Sequence, residues 1–202
     1  NAATATHPAT MTILLLGLAI FLGVHSTRIV ADGWRTRTLQ RIGEPRWKGQ
    51  YALLSIVGFA LILWGYAQAR QQPVVLWASP LWARHLALPL TWAAFVLVTA
   101  AYVPGNGIKA RLHHPMVLGV KVWALAHLLA NNTLAHLLLF GGFLVWAVFA
   151  YRAARSRDRA AGTVYAAGSA SRTLLTVAVG SLAWALFAFW LHGVWLGVRP
   201  LG

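Results

Sequence analysis

The stretch MTILLLGLAIFLGVHSTRIV, residues 11–30, decides the architecture of this chain. It holds no acidic residue and one arginine near its end, and it is about as long as a bilayer core demands, roughly 20 residues at ~1.5 Å rise each. No basic segment or small-residue cleavage site marks it as a removable signal, and the basic residues follow it instead of preceding it. It is therefore read as a first transmembrane helix. The ten residues ahead of it, NAATATHPAT, are polar and without pattern, a native tail or a remnant of expression. Met11 would serve as a natural start.

Working outward from that run, five more apolar stretches follow, at residues 51–69, 85–102, 115–130, 134–151 and 174–198. Pro104-Gly105-Asn106-Gly107 closes the third as a turn, Pro115 opens the fourth in the helical position where its missing N–H costs nothing, and Asn131-Asn132 makes a tight reversal. The expectation is an all-α, polytopic bundle of six transmembrane spans, forming one domain over residues 11–202.

Composition agrees. With 202 residues, 59% hydrophobic and 10% charged, the chain has too little polar sequence to cover a soluble globule. Its 17 basic and 3 acidic residues give a formal charge of +14, which elsewhere would suggest nucleic acid. Here the charges sit in short segments between apolar runs, so no nucleic-acid partner is expected. Such charges orient spans and meet anionic head groups. Arg35, Arg37, Arg41, Arg46 and Lys48 follow the first span, Lys109 and Arg111 the third, and Arg152, Arg155, Arg157, Arg159 and Arg172 the fifth. Only Arg70, Arg84 and Arg199 fall on the opposite side. The positive-inside rule then puts both termini outside the cytoplasm of a bacterial inner membrane.

The chemistry open to such a chain is narrow. Without cysteine there are no disulfides, thiolate metal sites, iron–sulfur clusters or c-type haem attachment. Asp32, Glu44 and Asp158 are the only carboxylates and are expected in cytoplasmic loops, which excludes carboxylate pairs inside the membrane. Histidines are left. His85 and His136 fall at outer span ends and His113 at an inner one, as interfacial rings do, whereas His25, His127 and His192 are expected inside their spans. A buried membrane histidine either bonds a neighbouring helix or serves a cofactor. Two of them share surroundings. Gly17, Phe21 and His25 are spaced by four, and Gly119, Trp123 and His127 repeat the order glycine, aromatic, histidine. Each trio forms one helical stripe about 12 Å long that could border a porphyrin. Depth leaves the pairing open: His25 lies roughly 8–12 Å from its inner span end and His127 about 18 Å beyond Pro115. On that measure His114 is the rival partner of His25.

Three stretches, GLAIFLGVHSTRI, RIGEPRWKGQYALLSIVGFALILWGY and AAYVPGNGIKARLHHPMVLGVKVWALAHLLANNTLAHLLLFGG, together with WLHG near the C-terminus, resemble the NnrU family of bacterial membrane proteins. That family is linked to denitrification, and it is similar to the zeta-carotene isomerases, which bind b-type haem and convert a cis polyene bond to trans. The resemblance implies haem b, with His25 of the FxxxHS motif and His127 of the HP…W…AH segment as axial ligands. Phe21 and Trp123 would flank the macrocycle, and Arg111, Lys121 or His114 would hold its propionates. Where the plant isomerase carries a cysteine three residues before the last histidine, this chain has Ala124. A sulfur ligand there is excluded. Three classes follow: a haem protein of electron transfer or respiratory nitrogen-oxide metabolism, meeting a respiratory membrane partner; a carotenoid isomerase with an apolar, lipid-borne substrate; and a haem-free structural or assembly subunit.

Overall fold

The computed structural model describes residues 6–200, and their side chains from Met11 onward. The elements are α1 (Thr6–His25), α2 (Thr27–Val30), α3 (Asp32–Ile42), α4 (Glu44–Ala69), α5 (Leu81–Tyr102), α6 (Gly107–Leu112), α7 (Pro115–Ala130), α8 (Leu134–Ala160) and α9 (Ala170–Leu186). A π-helical turn, Phe187–Leu191, then leads into α10 (His192–Leu196). Six apolar helices thus occupy the six expected places. Four segments, Glu44–Ala69, Leu81–Tyr102, Leu134–Ala160 and Ala170–Leu196, are long and apolar enough to cross a membrane. Met11–His25 and Pro115–Ala130 are shorter. The 16 residues of α7 reach only about 24 Å against a hydrocarbon core of ~30 Å.

Helix boundaries depart from the apolar runs wherever polar residues extend a helix. Helix α4 starts seven residues before residue 51, because Gly43 (φ +82°) sets the entry and Pro45 sits in the first turn. The expected loop between the first two runs contains α3. The carboxylates expected in loops are likewise helical: Asp32 and Glu44 open α3 and α4, and Asp158 lies in the polar last turns of α8, beyond residue 151.

Helix α1 ends at His25, five residues before its apolar run does. Three successive side chains turn back on the preceding carbonyls: His25 Nδ1 to Phe21 O at 2.7 Å, Ser26 Oγ to Leu22 O at 2.6 Å, and Thr27 Oγ1 to Val24 O at 2.9 Å. Such bonds compete with the helical ladder and bend or interrupt it. The backbone answers with Ser26 N donating to Gly23 O, one residue short of the α-helical partner.

The chain divides into two compact units, residues 1–78 with 131–153, and residues 79–130 with 154–202. In the first, α1 lies directly on α4 through three glycines. A Cβ on Gly17 would stand 2.6 Å from Ile62 N, one on Gly58 2.7 Å from Phe21 N, and one on Gly65 2.5 Å from Leu14 N. Between apolar helices in lipid the hydrophobic effect offers no gain, so close backbone approach at small residues supplies the attraction. The second unit follows the same logic: Gly119 of α7 meets Val98 and the Ala94 carbonyl of α5, and Gly180 of α9 meets Val96. Two indoles then lock α5 to α9, Trp92 Nε1 donating to Ser181 Oγ (2.8 Å) and Trp184 Nε1 to Thr91 Oγ1 (3.1 Å).

Candidate functional site

In the first unit His25 closes α1 inside a ring of aromatic side chains. Phe21 stacks on it one turn back (ring centroids 4.2 Å apart), Tyr51 of α4 tilts against it at 5.2 Å, and Trp146 of α8 presents an edge at 6.1 Å. Phe59 and Phe143 extend the cluster behind Phe21, at 6.1 and 5.8 Å. A carbonyl can only accept, so the contact to Phe21 O requires the hydrogen on Nδ1, and the neutral ring then carries its lone pair on Nε2. That nitrogen has no hydrogen-bond partner among the described residues. The Trp146 indole N–H is also buried without a partner among them.

His127 is held the same way in the second unit. It lies in the last turn of α7, its Nδ1 is 2.9 Å from Trp123 O, and the Trp123 ring tilts over it at 5.1 Å. The lone pair again falls on Nε2. Ala124, on the same helix, is fully buried. Both stripes read from sequence therefore exist as built features. In each the glycine fixes the packing of its helix, the aromatic shields the imidazole, and the peptide carbonyl of that same aromatic residue sets the tautomer. A metal-bound histidine needs such a tether on its other nitrogen.

One expected position is corrected. His25 is a helix terminus, not a residue two turns inside. Carbonyls and not hydroxyls hold the two rings; the nearby Ser26 and Ser55 hydroxyls donate to Leu22 O and Tyr51 O. His192 lies inside the candidate span Ala170–Leu196 as expected, half-buried after the π-turn, with Nδ1 2.6 Å from Val198 O. His136 keeps its expected place at a span end, in the first turn of α8, and is tied at both nitrogens, to Tyr66 Oη at 2.8 Å and Thr133 Oγ1 at 2.5 Å.

His114 belongs to a polar cluster of the second unit. Asp158 Oδ2 accepts from His114 Nε2 (2.8 Å), Arg155 Nη1 (3.0 Å) and the Tyr165 hydroxyl (3.1 Å). Partial burial opposes ionisation of Asp158, but the His114, Tyr165 and Arg155 hydrogen bonds outweigh it and hold the carboxyl below its ordinary range. His113 leans on Tyr165 (4.2 Å), adopts φ +67° and keeps a buried Nδ1 without a hydrogen-bond partner among the described residues. Arg111 is exposed and Lys121 half-buried. Among the described residues no three histidine, aspartate or glutamate side chains gather as a metal site.

Sequence reading missed Tyr51, Phe143 and Trp146 around His25, and Tyr165 and Arg155 around Asp158. Phe143 and Trp146 are three apart on α8 and so share a helix face, but that spacing names no partner helix.

Apolar helices packed through glycines, each unit holding an imidazole tethered to the carbonyl of an aromatic residue one turn back, define an integral membrane protein with its polar chemistry confined to a few side chains. The chain belongs to the NnrU protein family, whose family model matches residues 13–200. No curated protein and no solved structure matches it.

Proposed function

We propose that this membrane protein binds a b-type haem, with His25 and His127 supplying axial imidazoles, and serves electron transfer or the support of respiratory nitrogen-oxide enzymes in the bacterial inner membrane. The repeated tether carries this reading: two histidines, one per unit, each fixed through Nδ1 to the carbonyl of an aromatic residue one turn back. A porphyrin brings four ring nitrogens and asks the protein for one or two ligands more, which suits a chain whose histidines do not cluster. Bound haem would supply one-electron chemistry. The chain's own residues present Nε2, cover the rings with Phe21 and Trp123, and offer Arg111 and Lys121 as basic partners for propionates. The bond from His114 Nε2 to Asp158 supports His127 over His114 as a ligand.

The absorption spectrum of the detergent-purified protein tests the proposal. A low-spin Soret band is expected, lost in His25→Ala and in His127→Ala and retained in His85→Ala and His114→Ala. Haem-free protein, or a band that survives in both ligand variants, refutes it and favours a structural subunit. The aromatic cluster around His25 also favours a second reading, haem-dependent cis-to-trans isomerisation of a carotenoid arriving from the lipid, since flat rings suit a polyene. Restored pigment synthesis in a carotenoid-producing host lacking its isomerase would support that activity.

A further inference from the structure

Between Arg28 and Lys48 the chain carries six basic and two acidic residues. Both acids are engaged, Asp32 with Arg28 at 3.4 Å and Glu44 with Lys48 at 2.6 Å. Arg35 lies over the Trp47 ring at 5.8 Å, and Trp47 meets Trp34 edge-on at 5.8 Å. Arg37 and Arg41 have no acidic partner among the described residues. With Trp34 they occupy positions i, i+3 and i+7 of α3, one stripe along a single face. All three are exposed, Trp34 by 51%. The alternate positions Thr38, Leu39 and Ile42 are half-buried, and α3 packs on α4. The Arg37 guanidinium folds back over Gly33, where an added Cβ would lie 3.5 Å from its Nη1.

Chain connectivity fixes where this stripe lies. Helix α3 joins two apolar helices: α1 ends at His25, and the apolar part of α4 starts near Tyr51, about 10 Å along that helix from Glu44. That distance is comparable to the depth of a head-group layer, about 5–8 Å on each face of a bilayer. An exposed tryptophan beside two unpaired guanidinium groups at that level matches one ligand chemistry. The ring suits the interface and the guanidiniums suit a phosphodiester.

We propose that Trp34, Arg37 and Arg41 form a head-group site for an anionic glycerophospholipid of the surrounding bilayer, with Arg35 and Trp47 bracing the stripe from its inner side. This inference is independent of haem binding. Lipid attraction amounts to roughly 1 kcal/mol per basic residue near an anionic surface. Loss of both guanidiniums therefore corresponds to roughly a 30-fold weaker affinity.

The test uses the full chain in neutral detergent, titrated with short-chain phosphatidylglycerol, short-chain phosphatidylcholine or inorganic phosphate, and read by thermal shift and by native mass spectrometry of retained lipid. Phosphatidylglycerol should bind preferentially. Arg37→Gln with Arg41→Gln should weaken it roughly 30-fold, whereas Arg84→Gln with Arg199→Gln, which removes equal charge elsewhere, should leave it unchanged. Trp34→Ala should weaken both lipids. Equal binding of phosphatidylcholine, equal stabilisation by inorganic phosphate, or undiminished phosphatidylglycerol binding by the double Arg37/Arg41 variant would overturn the proposal.

Discussion

Replacing Gly58 by alanine adds one methyl group where α4 crosses α1. Its Cβ would lie 2.7 Å from Phe21 N and 3.0 Å from Phe21 Cα. These are backbone atoms, so no rotamer change relieves the clash. To move from 2.7 Å to the 3.4 Å at which ordinary contact begins, the helices must part by about 0.7 Å at that point. Overpacking of this kind costs about 1–3 kcal/mol, and alanine's better helix propensity returns at most about 1 kcal/mol. With the full propensity return the expected net loss is about 0–2 kcal/mol, which leaves Gly58→Ala about 1–3 kcal/mol below a variant that keeps the propensity gain alone. Gly49, on the same helix, and Gly23, on α1, have open space at their Cβ positions, so alanine there retains the propensity gain alone and stabilises by up to ~1 kcal/mol. Unfolding in mixed dodecylmaltoside–SDS micelles reads all three variants on one scale. A second readout joins packing to the site: Phe21 O holds His25 Nδ1, so Gly58→Ala should lower haem retention while Gly49→Ala does not. Equal stability of the Gly58 and Gly49 variants would refute the reasoning, because it would mean that α1 and α4 do not touch through their backbones.

Three further outcomes follow from the same geometry. His136→Phe leaves the Tyr66 hydroxyl and Thr133 without their shared partner and should destabilise by about 1–3 kcal/mol, the cost of an unsatisfied buried group, measured in the same unfolding assay. Asp158 has its carboxyl pKa lowered by folding, so its contribution is present above the ordinary value of 3.8 and is lost as pH falls through the lower folded value; Asp158→Asn should lack that acid-side loss, and a wild-type profile that stays flat down to pH ~3 would contradict it. Single cysteines at Arg37, Gly105 and Arg157 should resist impermeant reagents in intact cells while those at Gln72 and Asn132 are labelled, and the reverse pattern would invert the topology.

Much of this fold was legible because lipid imposes one strong rule. A spanning segment must be both apolar and helical, so composition alone located six helices, and residues 115–130 were placed without error. Residues 31–50 were obscured for the opposite reason. Dense charge erases the apolar signal, although α3 and the first turns of α4 are helical and depend on Gly43, Pro45 and i,i+4 ion pairs. Hydropathy likewise could not register the end of α1, which is set by hydrogen bonds from His25, Ser26 and Thr27 back to their own helix.

The candidate site divides along the same line. The glycine–aromatic–histidine stripe is a within-helix feature, and the four-residue spacing that revealed it in sequence also lets Nδ1 reach the aromatic residue's carbonyl. Partners on other helices, Tyr51 and Trp146 for His25 or Asp158 for His114, are tens of residues away in the chain and leave no periodic trace. This division explains why depth could not choose between His114 and His127. Depth locates a ring along a helix but carries no information on what its nitrogens meet, and His114 Nε2 meets a carboxylate from α8. Asp158→Asn thus separates the two roles of the cluster: if Asp158 is what keeps His114 from iron, the variant should gain a competing ligand, visible as a second haem species that disappears when His114→Ala is added.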